Sequence, residues 1–212
     1  MDLLTAFIDI VLHLDVHLLA LTQQYGIWVY AILFLIIYCE TGLVITPFLP
    51  GDSLLFVAGA LCGMGALQLE VLAPLLMLAA FSGDNTNYWI GRLIGMRLLK
   101  RTTGLIKREH LDKTHAFYEK HGGKTVLFAR FLPIIRTFAP FVAGIGLMRY
   151  RLFMTFSALG SVAWIGSLTV AGYFIGNIPA VKNNLTLIII GIIVISLLPA
   201  LGEVIRHRKR AV

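Results

Sequence analysis

The chain has 212 residues, of which 58% are hydrophobic and only 14% are charged, with a formal net charge of +7. Soluble domains usually carry about 25% charged residues, so this composition excludes an ordinary soluble globular protein. Several windows are long and apolar enough to cross a bilayer, which takes about 20 mostly apolar residues. We therefore expect an all-α polytopic membrane protein that forms a single transmembrane domain.

The predicted elements are apolar segments separated by proline, glycine or charged residues. In chain order they are an interfacial helix, a transmembrane helix, a re-entrant hairpin, a transmembrane helix, a basic loop with an amphipathic helix, a second re-entrant hairpin, two transmembrane helices and a basic tail. Their ranges are 1–25, 26–40, 41–65, 69–91, 92–124, 126–148, 153–176, 185–205 and 206–212.

Two proline-broken stretches predict the re-entrant hairpins. The sequence PFLPGD at residues 47–52 places Pro50 and Gly51 inside an apolar segment, and Pro133 and Pro140 do the same in the second hairpin. Proline inside a helix removes a hydrogen bond and kinks the backbone, so these residues are expected to mark breaks. A membrane tolerates two short helical arms around a break only where protein or water satisfies the backbone.

Short sequence matches indicate an internal repeat. FVAG at residues 56–59 recurs at 141–144, and YWIG at 88–91 recurs as YFIG at 173–176, both at an offset of 85. Such matches also arise by chance in an apolar chain, but two matches at one offset favour a duplicated unit of hairpin plus transmembrane helix. Because each unit contributes one crossing, the copies would be inverted, which is a recurring design in transporters.

The basic residues are distributed very unevenly. No Lys or Arg precedes Arg92, whereas residues 92–124 hold nine of the 18 basic residues and residues 206–212 hold four. A nucleic-acid-binding protein can be equally basic, but in membrane proteins basic residues accumulate in cytoplasmic loops. We therefore predict that the basic loop and the C-terminus are cytoplasmic, that the loop contacts anionic lipid headgroups, and that nucleic acid is not a partner.

Five ionisable residues lie inside or at the edge of the predicted membrane segments: Glu40, Asp52, Asp84, Arg130 and Arg136. Each would cost about 2.5–3.5 kcal/mol at the centre of a membrane helix, so the set should face a shared interior or a water-filled cavity. Glu40 and Asp52 can supply counter-charges or carry protons. For Asp84, a role in a polar helix-packing patch is slightly favoured over an accessory role in the site.

The two embedded arginines predict an anion site. Arg130 and Arg136 are six positions apart, about 600° on a regular helix, so one straight helix would point them in different directions. A break at Pro133 removes this constraint and lets both guanidiniums converge. Convergent arginines beside helix N-termini suit a phosphate group. The alternative is that the arginines form structural ion pairs with Glu40 and Asp52.

The histidines do not indicate a catalytic or metal site. His13 and His17 have the i, i+4 spacing of a metal-binding pair, but no accompanying carboxylate or cysteine cluster completes a ligand set. A lipid phosphatase would need a nucleophile together with a general acid or base, and every histidine lies away from the embedded charges. We expect neither enzyme activity nor a metal or other cofactor.

The segments ETGLVITPFLPGDSLLFVAGAL, GDNTNYWIGR and FARFLPIIRTFAPFVAG together resemble the DedA family of bacterial inner-membrane proteins, over residues 25–206. The resemblance implies membership in the wider VTT-domain (SNARE-associated) superfamily of lipid scramblases and transporters. It also implies a link to the proton motive force, to envelope integrity and to recycling of undecaprenyl phosphate. The functionally important acidic and arginine pairs of the family correspond to Glu40, Asp52, Arg130 and Arg136.

Together these features predict a proton-motive-force-dependent transporter or flippase of a lipid phosphate, such as undecaprenyl phosphate, in the bacterial inner membrane. Arg130 and Arg136 would bind the phosphate, and Glu40 and Asp52 would carry the coupling protons. The partners would be a phospholipid or polyprenyl phosphate, protons and anionic headgroups, with a homo-oligomer left open. The alternatives are a proton-coupled antiporter of small cations or drugs, a membrane-embedded lipid phosphatase, and a structural scaffold.

Overall fold

The computed structural model describes residues 14–43, 51–100 and 123–178. Within these ranges the chain forms helices and no strands, in agreement with the all-α prediction. The seven described helices are α1 (Leu14–Tyr25), α2 (Trp28–Gly42), α3 (Gly51–Gly63), α4 (Leu69–Lys100), α5 (Gly123–Ala129), α6 (Pro133–Ile145) and α7 (Tyr150–Gly176).

Some predictions concern residues outside these ranges. They include the first half of the N-terminal helix, the break at Pro50, most of the basic loop, the last transmembrane helix and the basic tail, at positions 1–13, 44–50, 101–122, 185–205 and 206–212. The remaining predictions can be compared with the helices directly.

The described residues fall into two compact units. The first unit contains 14–33, 51–74 and 165–178, and the second contains 34–43, 75–100 and 123–164.

In the first unit, α3 packs closely against the C-terminal part of α7. Nearly every residue of α3 is buried, and the helix also contacts α1. A Cβ atom on Gly59 would overlap the carbonyl oxygen of Thr169, and one on Gly172 would overlap the carbonyl oxygen of Phe56. Glycine at both positions therefore lets the two backbones touch, as in many helix pairs of membrane proteins.

In the second unit, α6 packs against α4 through an equivalent glycine contact. A Cβ on Gly144 would overlap the carbonyl oxygen of Tyr88, and one on Gly91 would overlap that of Phe141. Tyr88 also stacks on Phe153, with ring centroids 4.4 Å apart, and its hydroxyl donates a 2.5 Å hydrogen bond to the carbonyl of Met148. This cluster fixes α4 against α6 and the start of α7.

The repeated sequences take part in both glycine contacts. FVAG at 56–59 packs against α7, which carries YFIG, and FVAG at 141–144 packs against α4, which carries YWIG. Each FVAG segment therefore contacts the long helix of the other predicted copy. The inverted orientation of the copies and the re-entrant form of the hairpins stay predictions.

One helix extends beyond its predicted crossing, and one predicted break is wrong. Helix α4 continues to Lys100 instead of ending at Gly91, because the first residues of the predicted loop are mostly good helix formers and its basic residues suit a helix C-terminus. The second break precedes Pro133, which begins α6, whereas Pro140 lies inside that helix. Proline suits the first helical position, while an interior proline only removes its hydrogen bond to the carbonyl of Arg136.

Among the described helices, α7 alone is both long enough and apolar enough to cross a membrane by length and composition. Three shorter apolar helices accompany it, at Trp28–Gly42, Gly51–Gly63 and Ile135–Ile145. The crossing predicted at residues 69–91 falls within α4, which is long but carries several charged side chains. The described part of the chain thus combines one helix that is long and apolar enough to cross a membrane with three shorter apolar helices.

Candidate functional site

Arg130 lies in the turn between α5 and α6, where the helix is broken. Its side chain is buried, with 5% of the residue exposed. The Nη1 atom donates a 2.5 Å hydrogen bond to Oδ2 of Asp84 and a 3.3 Å hydrogen bond to the carbonyl oxygen of Ser157. The break therefore places a guanidinium between α4 and α7, in a position that a continuous helix would not supply.

Asp84, on α4, is the carboxylate partner of Arg130. It is 3% exposed, and its Oδ2 also accepts a 2.6 Å hydrogen bond from the hydroxyl of Ser157. Asp84 therefore does more than pack with its polar neighbours on α4, because its carboxylate offsets the charge of a buried arginine. The sequence did not identify this pair, since 46 positions separate the two residues.

Arg136, near the start of α6, pairs with Glu40 near the end of α2. Its Nη2 atom donates to Oε1 of Glu40, and Glu40 is only 1% exposed. The alternative interpretation paired the two arginines with Glu40 and Asp52. In the structure Glu40 does pair with an arginine, Arg136, whereas the partner of Arg130 is Asp84. Arg130 and Arg136 thus each have a carboxylate partner.

Trp164, on α7, brings the two arginines together. The guanidinium carbon of Arg136 lies 4.6 Å from the centre of the indole ring, and that of Arg130 lies 5.5 Å from it. These are cation–π distances, so the ring stabilises both positive charges. As the break at Pro133 predicted, the guanidiniums converge. The sequence analysis missed Trp164, although a tryptophan well inside an apolar segment is unusual because the residue favours membrane interfaces.

Asn87 joins the helices that carry Glu40 and Arg136. Its Nδ2 atom donates hydrogen bonds of 3.0 Å to the carbonyl of Thr41 and 2.8 Å to the carbonyl of Thr137. The side chain is fully buried. One amide thus ties the end of α2 to α6, next to both members of the second ion pair. Asn87 was also missed, because it stands in the polar stretch that the sequence assigned to helix packing.

Asp52 lies in the other unit, in the first turn of α3, which begins at Gly51. A carboxylate there interacts favourably with the positive end of the helix dipole. Of the residues predicted to form the site, the second unit therefore brings together Glu40, Arg130 and Arg136 with Asp84, the possible accessory residue.

The two ion pairs make a cluster of balanced charge. The carboxylates of Asp84 and Glu40 offset the charges of Arg130 and Arg136. This pairing compensates part of the free-energy cost of burying the four charged groups in a low-dielectric interior. Such a cluster responds to added charge: an incoming anion competes with a carboxylate for a guanidinium, and a proton on a carboxylate releases its partner. An anion that bound to one of these guanidiniums would therefore favour protonation of its carboxylate partner, because the proton restores the charge balance.

The sequence profile of the VTT domain matches residues 49–174, well over half of the chain. The chain belongs to the VTT domain family. The matched region contains Asp52, Asp84, Arg130 and Arg136, whereas Glu40 precedes it.

Relatives within the VTT family confirm the resemblance to DedA proteins. The chain is 56% identical to Protein DedA of Escherichia coli (strain K12), over 100% of this chain and 98% of DedA. It is 46% identical to an uncharacterized membrane protein of Mycobacterium tuberculosis, over 84% and 80% of the two chains. It is 32% identical to the inner membrane protein YqjA of E. coli (strain K12), over 84% and 81%. No solved structure matches the chain significantly.

Proposed function

We propose that this VTT family protein is a proton-motive-force-dependent transporter or flippase of a lipid phosphate, such as undecaprenyl phosphate, in the bacterial inner membrane. The observation that carries the proposal is the convergence of two buried guanidiniums, Arg130 and Arg136, over the indole ring of Trp164. Arginine presents paired N–H donors that match phosphate oxygens, and it stays charged when buried. A phosphate headgroup is therefore the substrate group that suits the site best.

Protons would provide the coupling. A phosphate that binds Arg136 adds negative charge beside Glu40, and a proton on Glu40 removes the excess charge and frees the guanidinium. The ion pair between these residues supports this exchange, because the same Nη2 atom would serve carboxylate and phosphate in turn. Asp52 would be the second proton carrier, since the family resemblance implies that this acid is functionally important. In this scheme the protein moves a lipid headgroup and is not an enzyme.

The proposed transport fits the finer topology predicted from the sequence. Two inverted repeats, each with a re-entrant hairpin and a transmembrane helix, would give opposite sides of the membrane alternating access to the headgroup. The polyprenyl tail would stay in the lipid phase. The basic loop and the C-terminus would face the cytoplasm, where the loop would contact anionic headgroups.

Reconstitution tests this function directly. Purified protein in liposomes, with labelled undecaprenyl phosphate and an imposed pH gradient, should move the lipid between leaflets, and the rate should depend on the gradient. Arg136→Ala should abolish the movement. Tyr150→Phe is a matched control, because it removes only a 2.9 Å hydrogen bond to Asn85 elsewhere in the same unit. Transport that persists in Arg136→Ala, or that ignores the gradient, would rule out the mechanism.

A second candidate is a proton-coupled antiporter of small cations or drugs. The observation that favours it is that each arginine already has a carboxylate partner, so the guanidiniums would be structural counter-ions while the acids bind substrate. Arg130→Lys separates the candidates. A lysine keeps the positive charge and should preserve antiport, but it cannot bind two phosphate oxygens in parallel and should impair lipid transport.

A further inference from the structure

Of the three guanidinium nitrogens of Arg130, only Nη1 donates hydrogen bonds to residues that the structure describes. Nη1 donates to Asp84 and to the carbonyl of Ser157. Nε and Nη2 are buried and have no hydrogen-bond partner among the described residues. Buried donors are usually satisfied, and an exception calls for a ligand, an ion or a water. Nε and Nη2 share one edge of the guanidinium, and their two N–H bonds run parallel, which suits two oxygens of one oxyanion.

Three neighbours fix the orientation of this edge. Asp84 holds Nη1 and is itself held by the hydroxyl of Ser157, at 2.6 Å. Trp164 covers a face of the guanidinium, 5.5 Å from its centre. At Gly160, a Cβ would lie 3.1 Å from Cδ of Arg130, so the absence of a side chain leaves room for the arginine stem against α7. The guanidinium is thus held by a hydrogen bond at Nη1 and by the indole ring on its planar face, while its aliphatic chain packs beside Gly160.

We propose that Asp84 and Ser157 are positioning residues that hold Arg130 by Nη1, so that its Nε–Nη2 edge receives two oxygens of a phosphate. This inference rests on the proposed function for the presence of a phosphate ligand, and it assigns the atoms that hold the ligand. The chemistry is shared by a lipid phosphate headgroup and by free inorganic phosphate.

The two ion pairs thereby take different parts. Asp84 binds Nη1, which the ligand does not need, so Asp84 stays on Arg130 when phosphate binds. Glu40 shares Nη2 of Arg136 with the ligand under the proposed function and would be displaced. Asp84 therefore orients a donor, whereas Glu40 exchanges with the substrate.

Tryptophan fluorescence provides the binding assay. The chain has three tryptophans, so replacing Trp28 and Trp89 with phenylalanine leaves Trp164 as the reporter, next to both guanidiniums. This variant, in lipid nanodiscs, is titrated separately with undecaprenyl phosphate and with inorganic phosphate. Tighter binding of the lipid would identify a lipid headgroup site, and equal affinity would identify a site for the phosphate group alone; either outcome supports the assignment of the edge.

Substitutions in this background test the positioning role. Asp84→Asn should weaken phosphate binding by about tenfold, because a neutral amide oxygen holds Nη1 of Arg130 less firmly than a carboxylate does. Ser157→Ala should weaken binding by about threefold, and Ser157→Thr, which keeps a hydroxyl, should restore it. If Asp84 acts through Arg130, Asp84→Asn should add little once Arg130→Lys is present. Tyr150→Phe should leave the affinity unchanged.

Several outcomes would overturn the inference. Wild-type binding that Asp84→Asn leaves intact would refute it while preserving the proposed function. Additive effects of Asp84→Asn and Arg130→Lys would show that Asp84 does not act through Arg130. If Asp84→Asn does not fold, the Ser157 variants test the positioning role instead. Binding by Ser157→Thr that is as weak as binding by Ser157→Ala would then refute this role. Absence of both phosphate binding and transport in the wild type would instead remove the proposed function, and the inference with it.

Discussion

Replacing Gly144 with alanine should separate α6 from α4 and destabilise the second unit. The new Cβ would overlap the carbonyl oxygen of Tyr88 and lie 2.7 Å from the amide nitrogen of Arg92. Both atoms belong to the α4 backbone and cannot rotate away. Because ordinary Cβ contacts begin near 3.4 Å, relief of the contact with the Arg92 nitrogen alone needs a separation of about 0.7 Å, and relief of the deeper overlap with the Tyr88 oxygen needs more.

The expected loss combines two opposing effects. Overpacking of this kind costs about 1–3 kcal/mol, and the upper end applies here because the contact between Gly91 and the carbonyl of Phe141 loosens at the same time. Alanine is a better helix former than glycine, which returns about 1 kcal/mol. The net loss in free energy of unfolding should therefore be about 2 kcal/mol, or roughly a 30-fold shift in the ratio of folded to unfolded protein.

Unfolding in detergent, followed by circular dichroism during titration with a denaturing detergent, measures this loss. Val142→Ala is the matched control, because Val142 lies on the exposed side of the same helix and its truncation should cost less than about 1 kcal/mol. A Gly144→Ala protein that equals or exceeds the wild type in stability would refute the close backbone contact, since only the gain in helix propensity would then remain.

Gly59→Ala should lower the free energy of unfolding by about 2 kcal/mol, because its Cβ would overlap the carbonyl oxygen of Thr169; the same unfolding measurement checks this. Trp164→Leu should weaken undecaprenyl phosphate binding by about tenfold, since both guanidiniums lose a cation–π contact; equilibrium binding of labelled lipid tests it, and unchanged affinity would contradict it. Glu40→Gln should lower the free energy of unfolding by about 3 kcal/mol, because it leaves a buried arginine without its charge partner, and Arg136→Gln added to it should recover part of the loss. A double variant less stable than Glu40→Gln would count against this ion pair.

The sequence predicted the local features of the site well. Proline chemistry located the break ahead of Pro133, and that break permits the convergence of Arg130 and Arg136 that a straight helix would prevent. The cost of embedded charge marked Glu40 and Asp84 as residues that need partners. These inferences depend only on short-range rules, namely the missing N–H of proline, the pitch of a helix and the transfer energy of a charge.

The pairing of distant residues could not be predicted in the same way. Glu40 and Asp84 are equally plausible partners for either arginine until the packing of α2 and α4 is known, and Asp84 resembles its polar neighbours. Trp164 is one apolar residue among many along α7. Pro140 shows the opposite failure, because a local rule predicted a break where the surrounding helix continues. Tertiary contacts decide each of these cases.

The glycine contacts between α4 and α6 also limit how these helices can move. Gly91 and Gly95 stand one turn apart and lie against the carbonyls of Phe141 and Ile145, which are also one turn apart. With backbone against backbone, no side chain can change rotamer to absorb a small shift. Sliding of α6 along α4 would have to proceed as a ratchet, in steps of a whole turn of about 5.4 Å. Smaller displacements would carry both helices together, with Arg136 and Asp84 moving as one body.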